Sequence, residues 1–360
     1  MTARVLVVAS YVAPHVGGTE RFVEWLRAAL PAAGVDVRVV SVDHPDSSAD
    51  VTVPHAILAQ TTIPLVLPSP EVLGRLRAEA AAADLVLLQS ALHPLSLWAA
   101  TAARAARTPA LTVVHTAQGY PHGGGVAAAV ARAYDVVLPA AVLRLAPPVS
   151  LSVSGDRYLR EAYRIEPVAT LPFPLAGLPP VMSDRRAPGP LRVVCASRLS
   201  PEKDVSAAVA ACAAIGDVVL DVYGDGPGEG ELRALAATRP WLTVHGATPW
   251  PVVIAAQAAA DVCVSAARME NVGLAILEAL ALGTPVVMTA VGDAPRYLPP
   301  QLGWLATAPG QPAELAAALA RARDELDEVS EAVRRNALVL RARHAPERTA
   351  AGLVHLLTPR

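Results

Sequence analysis

Two carboxylates in the second half of the chain have the types and spacing that chemistry on a nucleotide would need. In the segment ENVGLAILE, Glu270 and Glu278 are eight positions apart, and a helix is predicted to begin near Gly273. The backbone N–H groups of residues 271–274 would be exposed at that helix N-terminus, which is a favourable position for a diphosphate. Glu270 could hydrogen-bond sugar hydroxyls or stabilise a developing positive charge, and Glu278 could accept hydrogen bonds from ribose hydroxyls.

Two basic residues lie upstream of these carboxylates, in the segment SRLSPEKD. Arg198 and Lys203 are five positions apart on a predicted strand-to-helix loop, and Lys203 is the only lysine in the chain. Arginine offers a planar fork for two phosphate oxygens, whereas lysine offers a compact charge that can follow a leaving phosphate. Taken alone, the two glutamates favour a simpler interpretation, in which Glu270 is an ordinary charge at a helix N-terminus and Glu278 a solvated one. With the basic loop upstream, the four residues together indicate a phosphate site.

Glycine-rich loops follow predicted strands in both halves. In PHVGGTE, Gly17 and Gly18 would let the backbone approach a ligand closely, and Thr19 is predicted to cap a helix that opens with Glu20. This loop differs from the dinucleotide pattern G-x-G-x-x-G, because its two glycines are adjacent. The turn VYGDGP, which contains Gly224, is by itself equally a plain turn.

Two histidines follow predicted strands in the first half. His115, in VVHTAQGY, comes directly after an apolar run, where it is as readily a structural residue as a ligand-facing one. His93, in SALHP, has the weaker claim, because Pro94 beside it suits a plain turn.

The elements that must position these residues alternate along the chain. Val- and Leu-rich runs such as RVLVV, DVRVVSV and DLVLLQ are followed by Ala- and Arg-rich amphipathic stretches, which predicts parallel sheets covered by helices. The Pro- and Gly-rich segment 171–190 interrupts the alternation, which then restarts. The predicted fold is α/β, with two doubly wound domains whose sheets face a common cleft and bind ligands at the carboxyl ends of their strands.

Composition excludes several classes of protein. A net charge of −2 gives no bulk attraction to nucleic acid or to an anionic membrane. We expect no stable membrane insertion, since no apolar stretch reaches the ~20 residues that span a bilayer. The apolar start of the chain predicts a β-strand rather than a signal peptide. Three widely spaced cysteines, Cys195, Cys212 and Cys263, predict buried, reduced thiols of a cytoplasmic protein.

The motifs GGTE, HTAQG, SRLSPEK, YGDGP and ENVGLAILEALALGTPVV, in this order, resemble the retaining, GT-B-fold, nucleotide-sugar glycosyltransferases of family four. The similarity is strongest from residue 191 to 305, which contains the E-x7-E element. It implies a hexosyl- or glycosyltransferase of the EC 2.4 class that uses a nucleoside-diphosphate sugar as donor and no cofactor. It also implies an acceptor domain over 1–175, a linker over 176–190, a donor domain over 191–340 and a C-terminal helix over 341–360 that packs back on the first domain.

The resemblance also assigns roles to the candidate residues. Arg198 and Lys203 would hold the donor diphosphate, Glu270 would touch the transferred sugar and Glu278 the ribose. The implied catalytic residues are His115, Arg198, Lys203 and Glu270. The implied donor-binding residues are Gly17, Gly18, Arg198, Lys203, Gly224, His245, Gly246, Ala247, Glu270, Asn271, Val272, Gly273, Leu274 and Glu278. The implied acceptor-binding residues are Gly18, Thr19, His93 and His115.

The chain departs from the family pattern at two places. Asn271 and Val272 stand where the family often has an aromatic residue and a glycine after the first glutamate. Further along, in VGDAPRYL, Asp293 replaces a glycine and Arg296 follows the proline. Donor specificity is therefore not carried over from the family.

Retention of the anomeric configuration could come from a double displacement or from front-face transfer. The chain offers no clear nucleophilic carboxylate on the face opposite the phosphate, which favours front-face transfer. No D-x-D triplet occurs, so we expect no metal requirement. The balanced charges of the first helix, ERFVEWLRAALPAAG, favour a soluble acceptor, such as a small natural product.

Other activities remain open at this stage. A sugar-nucleotide epimerase would need no acceptor, and a phosphorylase of this fold would usually need a cofactor lysine far downstream, which is missing here. An inactive nucleotide-sugar-binding protein is the alternative outside enzymes.

Overall fold

The computed structural model describes residues 2–15, 17–57, 64–116, 125–181 and 189–357. The chain divides into two compact units, the first made of Met1–Ala176 with Ala345–Arg360 and the second of Gly177–His344.

The first unit is built on a parallel sheet. Its described strands are β1 (Ala3–Val8), β2 (Val35–Val42), β3 (Val51–Val53), β4 (Ala56–Ile57), β5 (Pro64–Leu65), β6 (Leu85–Leu88), β7 (Ala110–Val114), β8 (Pro148–Ser150) and β9 (Ala169–Thr170). Its helices before residue 176 are α1 (Gly18–Ala29), α2 (Pro70–Ala81), α3 (Pro94–Ala106), α4 (Gly125–Leu145) and α5 (Val153–Tyr158). Seven strands pair in the order β3-β2-β1-β6-β7-β8-β9, all parallel, while β4 and β5 form a short antiparallel pair. Strands such as β6 are buried at every position, which is typical of a parallel sheet covered on both faces.

The second unit repeats this plan. Its strands are β10 (Leu191–Ala196), β11 (Val218–Tyr223), β12 (Leu242–Gly246), β13 (Val262–Ser265), β14 (Val286–Thr289) and β15 (Ala306–Thr307). Its helices are α6 (Val205–Ile215), α7 (Glu229–Ala236), α8 (Trp250–Ala259), α9 (Leu274–Leu282), α10 (Pro312–Asp324) and α11 (Leu326–Arg343). The strand order is β12-β11-β10-β13-β14-β15, again all parallel. The predicted fold class, two doubly wound α/β domains, is confirmed.

The last helix, α12 (Pro346–Leu357), belongs to the first unit. Thr349 is fully buried, and its hydroxyl donates a hydrogen bond of 2.7 Å to the carbonyl oxygen of Pro172. Gly352 lies directly against the side chain of Leu171, where a Cβ would have no room. The first unit is therefore closed by residues from both ends of the chain.

Small aliphatic side chains fill both cores. The largest fully buried side chains are leucines, with Phe22 as the one aromatic exception among the described residues. This agrees with a composition that is 53% hydrophobic but only 4% aromatic. No helix in the described part of the chain combines the length and the apolar character that a bilayer span requires.

Candidate active site

The second sheet reverses its strand order between β10 and β13. The chain runs from β10 outward to β11 and β12, and then returns across β10 to β13. Such a reversal opens a crevice at the carboxyl ends of the two strands, because their following loops lead to opposite faces. The loop after β10 contains Arg198 and Lys203, and the loop after β13 contains Glu270. The sequence-predicted charges therefore lie at the place where α/β sheets bind ligands.

Lys203 and Glu270 form an ion pair across this crevice. The two residues are 67 positions apart, yet Nζ of Lys203 is 2.5 Å from Oε1 of Glu270. The same ammonium lies 3.5 Å from the carbonyl oxygen of Met269. The side chains are 14% and 19% exposed, so the pair is largely shielded while its edge still meets solvent. An ion pair in this setting interacts more strongly than one on an open surface.

Arg198 makes a second pair within the same loop. Its guanidinium donates to Oε1 of Glu202 at 3.0 Å, and the Ser200 hydroxyl donates to the same oxygen at 2.6 Å. Burial by itself raises the pKa of Glu202, but the hydrogen bond from Ser200 and the charges of Arg198 and Lys203 outweigh burial, so the pKa is lowered. Arg198 is 60% exposed and therefore open to a ligand from solvent.

A backbone contact joins the two loops. The N–H of Arg268 donates to the carbonyl oxygen of Glu202 at 2.8 Å. The Arg268 guanidinium also donates to Asp204 at 2.7 Å. Neither Glu202 nor Arg268 was singled out by sequence reasoning, although the i, i+4 spacing of Arg198 and Glu202 is a usable signal.

Helix α9 begins at Leu274, as predicted within one residue. Gly273 precedes it with φ 68°, a left-handed conformation that favours glycine. The Leu277 N–H closes the first turn on the Gly273 carbonyl, and the N–H groups before it have no acceptor within an α-helix. Asn271 and Val272 are both 8% exposed, so their side chains belong to the core and their backbone to the loop.

The loop that departs from the family pattern packs beneath this turn. The Asp293 N–H donates to the carbonyl oxygen of Asn271 at 2.8 Å. Gly292 has φ 60°, and a Cβ there would lie 2.5 Å from the carbonyl oxygens of Glu270 and Asn271. Asp293 is 4% exposed, and its Oδ1 lies 3.9 Å from Nε of Arg296. Asp293, which departs from the family pattern, therefore belongs to a loop that packs against the backbone of Glu270 and Asn271.

Glu278 is a buried residue. It is 4% exposed, and its Oε1 accepts a hydrogen bond of 3.0 Å from the indole N–H of Trp250. The alternative that Glu278 is a solvated helix charge is therefore wrong. Sequence reasoning missed Trp250, although an indole N–H on a half-buried tryptophan usually needs an acceptor.

The turn after β11 packs on the loop of Arg198. Gly224 has φ 128°, and a Cβ there would overlap the carbonyl oxygen of Ser197. The Gly224 N–H donates to the carbonyl oxygen of Gly246 at 2.9 Å, which ties the end of β11 to the end of β12. The turn therefore packs against the loop of Arg198 and joins the ends of β11 and β12, in addition to connecting two elements.

At the end of β12, the side chain of His245 is held by residues of the neighbouring strand β11. The ring of His245 stacks on Tyr223 at 4.3 Å, and its Nε2 is 2.6 Å from Oδ1 of Asp221. Gly246 has a left-handed φ of 76°, and Ala247 after it is exposed.

In the first unit, the predicted cap of α1 is wrong. The Arg21 N–H closes the first turn on the carbonyl of Gly17, so the helix begins at Gly18 and Gly17 is its N-cap. Thr19 lies inside the first turn, one residue past the start of the helix. The helix begins earlier because the extended backbone of Gly17, with φ −176°, already directs its carbonyl along the helix axis.

His115 and His93 both lie at the carboxyl edge of the first sheet. His115 follows β7, and its Nε2 is 3.1 Å from Oε1 of Gln89, which follows β6. His93 is the N-cap residue of α3, and its Nδ1 is buried without a hydrogen-bond partner in the described part of the chain. The remainder of HTAQG, from Ala117 onward, lies outside the described residues.

Comparison with known families decides the identity. Residues 190–325 match the model for glycosyl transferases group 1, and residues 16–147 match the model for glycosyltransferase family 4. The chain combines a glycosyltransferase family 4 domain with a glycosyl transferases group 1 domain. The prediction of a glycosyltransferase is thereby confirmed, whereas retention of the anomeric configuration stays a prediction.

Solved structures show the GT-B fold for this glycosyltransferase. Anabaena HepE in complex with UDP-glucose is 17% identical over 98% of this chain and 99% of that one, with a TM-score of 0.75. Sucrose-phosphate synthase from Thermosynechococcus elongatus is 19% identical over 98% of both chains, with a TM-score of 0.74. The pneumococcal O-GlcNAc transferase GtfA is 11% identical over 99% and 98%, with a TM-score of 0.71. No curated protein matches the chain.

The buried histidines of the glycosyltransferase predict acid sensitivity. Burial lowers the pKa of His115 and of His93 to about 4, from an ordinary value near ~6.5. Between these values the unfolded chain binds more protons, so the free energy of unfolding falls as the pH drops through this window. Each histidine contributes up to about 1.4 kcal/mol per pH unit. We expect the Tm to fall steadily from pH 7 to pH 5, and a double variant with glutamine at both positions to show a flatter profile. An equally steep profile in the double variant would contradict this.

The close approach of Gly224 predicts a large effect of a single methyl group. Gly224→Ala should lower the free energy of unfolding by about 2–4 kcal/mol, because it adds strain at φ 128° and an overlap with Ser197. Thermal unfolding measures this. The matched control is Gly230→Ala, a position in α7 with nothing within 4 Å of the added Cβ, which should leave the Tm unchanged or slightly higher. Equal Tm values for the two variants would show that the turn can move away.

Proposed function

We propose that the protein is a retaining glycosyltransferase that moves a sugar from a nucleoside-diphosphate sugar to a small, soluble acceptor without a metal ion. The observation that carries this proposal is the meeting of Lys203 and Glu270, 2.5 Å apart, at the crevice of the second sheet. Beside them α9 begins at Leu274 with no side-chain cap on its N-cap residue Gly273, and the N–H groups of a helix N-terminus suit a diphosphate. A carboxylate is held next to a phosphate site only where it has a further purpose.

Arg198 and Lys203 would neutralise the diphosphate of the donor. In the structure, each of these cations is paired with a carboxylate, Glu202 and Glu270 respectively. An incoming diphosphate would compete for both cations, and this would release Glu270 toward the hydroxyls of the transferred sugar. The bidentate fork of arginine and the point charge of lysine are complementary in this role.

In the proposed front-face transfer, the bond between the anomeric carbon and the phosphate oxygen breaks while the acceptor oxygen approaches from the same side. The acceptor proton passes to the departing phosphate oxygen, so no protein base is needed. Lys203 and Arg198 stabilise the charge that develops on the diphosphate, and Glu270 faces the positive charge that develops on the sugar. Since Glu270 is paired with Lys203 on the phosphate side, a nucleophilic role is disfavoured.

The other candidate residues are assigned to the ribose, the nucleobase and the acceptor. Glu278 would receive the ribose hydroxyls, and the backbone of residues 245–247 would receive the nucleobase. Gly17, Gly18 and the other residues at the carboxyl edge of the first sheet would meet the donor phosphate and the acceptor, with His115 nearest the reacting sugar. The acceptor is proposed to be a small natural product or metabolite.

We also propose a cytoplasmic enzyme. The three cysteines are free and buried, and burial raises the pKa of the Cys195 thiol to about 12. Thiols in this state are typical of proteins in a reducing compartment.

The first experiment is a thermal-shift screen with UDP-, GDP- and dTDP-sugars. UDP-glucose is the natural starting point, because the similar HepE binds it. A ligand at 100 times its Kd stabilises by about 2.7 kcal/mol, which is readily measured. Release of nucleoside diphosphate is then followed with and without acceptor candidates, in the presence of a chelator, and the anomeric configuration of the product is read by NMR.

The outcomes separate the alternatives. Acceptor-dependent release with retained configuration supports the proposal. Release without acceptor indicates an epimerase, phosphate-dependent release a phosphorylase, and binding without turnover an inactive protein. Loss of activity with the chelator, restored by a metal ion, would contradict metal independence.

A further inference from the structure

A buried glutamine contacts His115, the histidine that is proposed to lie nearest the reacting sugar. Gln89 comes directly after β6 and is 1% exposed, and its backbone N–H donates to the carbonyl oxygen of Val8 at 2.9 Å. Its Oε1 is 3.1 Å from Nε2 of His115, which comes directly after the neighbouring strand β7. The edge of Phe22 closes the imidazole from another direction, with ring centroids 5.4 Å apart. The ring of His115 is therefore fixed on two sides.

This contact determines where the proton of a neutral His115 resides. An amide oxygen only accepts hydrogen bonds, so the imidazole nitrogen that faces it must carry the hydrogen. With Nε2 protonated, Nδ1 of a neutral imidazole has a lone pair and acts as an acceptor. The hydrogen bond to Gln89 therefore selects one of the two tautomers.

The other end of the glutamine amide argues against a simple packing role. Nε2 of Gln89 is buried and has no hydrogen-bond partner among the described residues. A buried polar group without a partner is destabilising, and an apolar side chain of similar volume would remove that cost. The amide is useful here because of its oxygen, whose one hydrogen-bond partner in the described part of the chain is His115.

We propose that Gln89 is a positioning residue that holds His115 as the Nε2–H tautomer and leaves Nδ1 to accept a hydrogen bond from a substrate hydroxyl. This inference rests on the proposed function only in its last part, the meeting of His115 with substrate. Gln89 itself is buried behind the imidazole and acts through it. The arrangement parallels metal sites, in which a second partner fixes the tautomer of a ligating histidine.

The test compares two substitutions of similar size. Gln89→Met removes the acceptor, whereas Gln89→Glu retains an acceptor oxygen and adds a charge. The matched control is Thr108→Val in the same unit, which removes the hydrogen bond from Thr108 Oγ1 to the carbonyl oxygen of Ala80. Thermal unfolding of all three variants confirms that each is folded before any other measurement.

The first readout needs no turnover. Long-range 1H–15N NMR of the histidine-labelled protein distinguishes the two neutral tautomers, and the signal of His115 is assigned from a His115→Asn variant. We expect the Nε2–H tautomer in the wild type, in Gln89→Glu and in the control, and a mixture in Gln89→Met. An unchanged tautomer in Gln89→Met would overturn the inference.

The second readout is the rate of transfer. We expect Gln89→Met to lower kcat about 10- to 100-fold and to leave nucleotide affinity unchanged. This range is typical of removing a residue that hydrogen-bonds to a metal-ligating histidine. Gln89→Glu should recover part of this loss and move the pH profile, because its carboxylate favours the protonated imidazole. A changed tautomer with unchanged kcat would uphold the hydrogen bond but overturn the role of His115 in the proposed function.

Discussion

Lys203→Ala is expected to lower kcat about 100- to 1,000-fold, the effect of removing one donor that stabilises charge in a transition state. The ammonium is the proposed partner of the departing diphosphate, and the exposed Arg198 cannot take over its position beside Glu270. The variant also leaves Glu270 largely buried without its cation, so thermal unfolding should be measured alongside acceptor-dependent release of nucleoside diphosphate. Near-normal turnover would remove Lys203 from the reaction.

Lys203→Arg is the stricter form of this test. The Lys203 side chain is 14% exposed, and its Nζ lies between Glu270 and the carbonyl oxygen of Met269. A planar guanidinium is larger than an ammonium and does not fit that geometry, so most of the activity should be lost. The control is Arg335→Lys, an exchange at an exposed pair with Glu331, which should be neutral. Full activity of Lys203→Arg would show that position 203 does not require a lysine.

Glu270→Gln is expected to lower kcat about 100-fold without weakening the binding of nucleoside diphosphate. The amide retains an oxygen for Lys203 but removes the negative charge that is proposed to face the sugar in the transition state. The same charge repels a bound diphosphate, so its loss leaves nucleotide affinity equal or higher. Steady-state kinetics and titration calorimetry measure the two effects separately.

Glu278→Gln is the matched comparison, since both residues belong to the E-x7-E element. Glu278 is 4% exposed, accepts from Trp250 and is proposed to hold the ribose. This variant should weaken nucleotide binding more than it lowers kcat, the reverse of Glu270→Gln. If Glu270→Gln weakened nucleotide binding as much as it lowered kcat, Glu270 would be a binding residue only.

Much of the fold follows from local sequence pattern. Runs such as Leu85–Leu88 are apolar at every position because parallel strands are buried on both faces, and the interruptions between such runs mark the connecting loops. The start of α9 was predicted within one residue because Gly273 tolerates the left-handed turn that precedes the helix. By contrast, Thr19 was wrongly predicted to cap α1, since glycine can also serve as an N-cap and the sequence alone does not choose between neighbours.

Residues that act through a neighbouring side chain could not be identified from the local sequence pattern. Gln89, Glu202 and Trp250 follow no spacing that marks them as functional, and only their contacts with His115, Arg198 and Glu278 distinguish them. Each of these contacts except that of Glu202 joins residues more than twenty positions apart. The loop of Gly292 and Asp293 was noticed as a departure from the family, but its role as support for Glu270 needed the structure.

The sequence by itself determined the alternation of strands and helices, the aliphatic core and the identity of the charged loops, because periodicity and residue type are local properties. The tertiary structure decided which loops meet. Lys203 and Glu270 are 67 positions apart and become partners only because β10 and β13 are neighbours in the second sheet. Strand order depends on the packing of the whole domain, and for that reason the ion pair at the centre of the proposed site could be placed only by the folded chain.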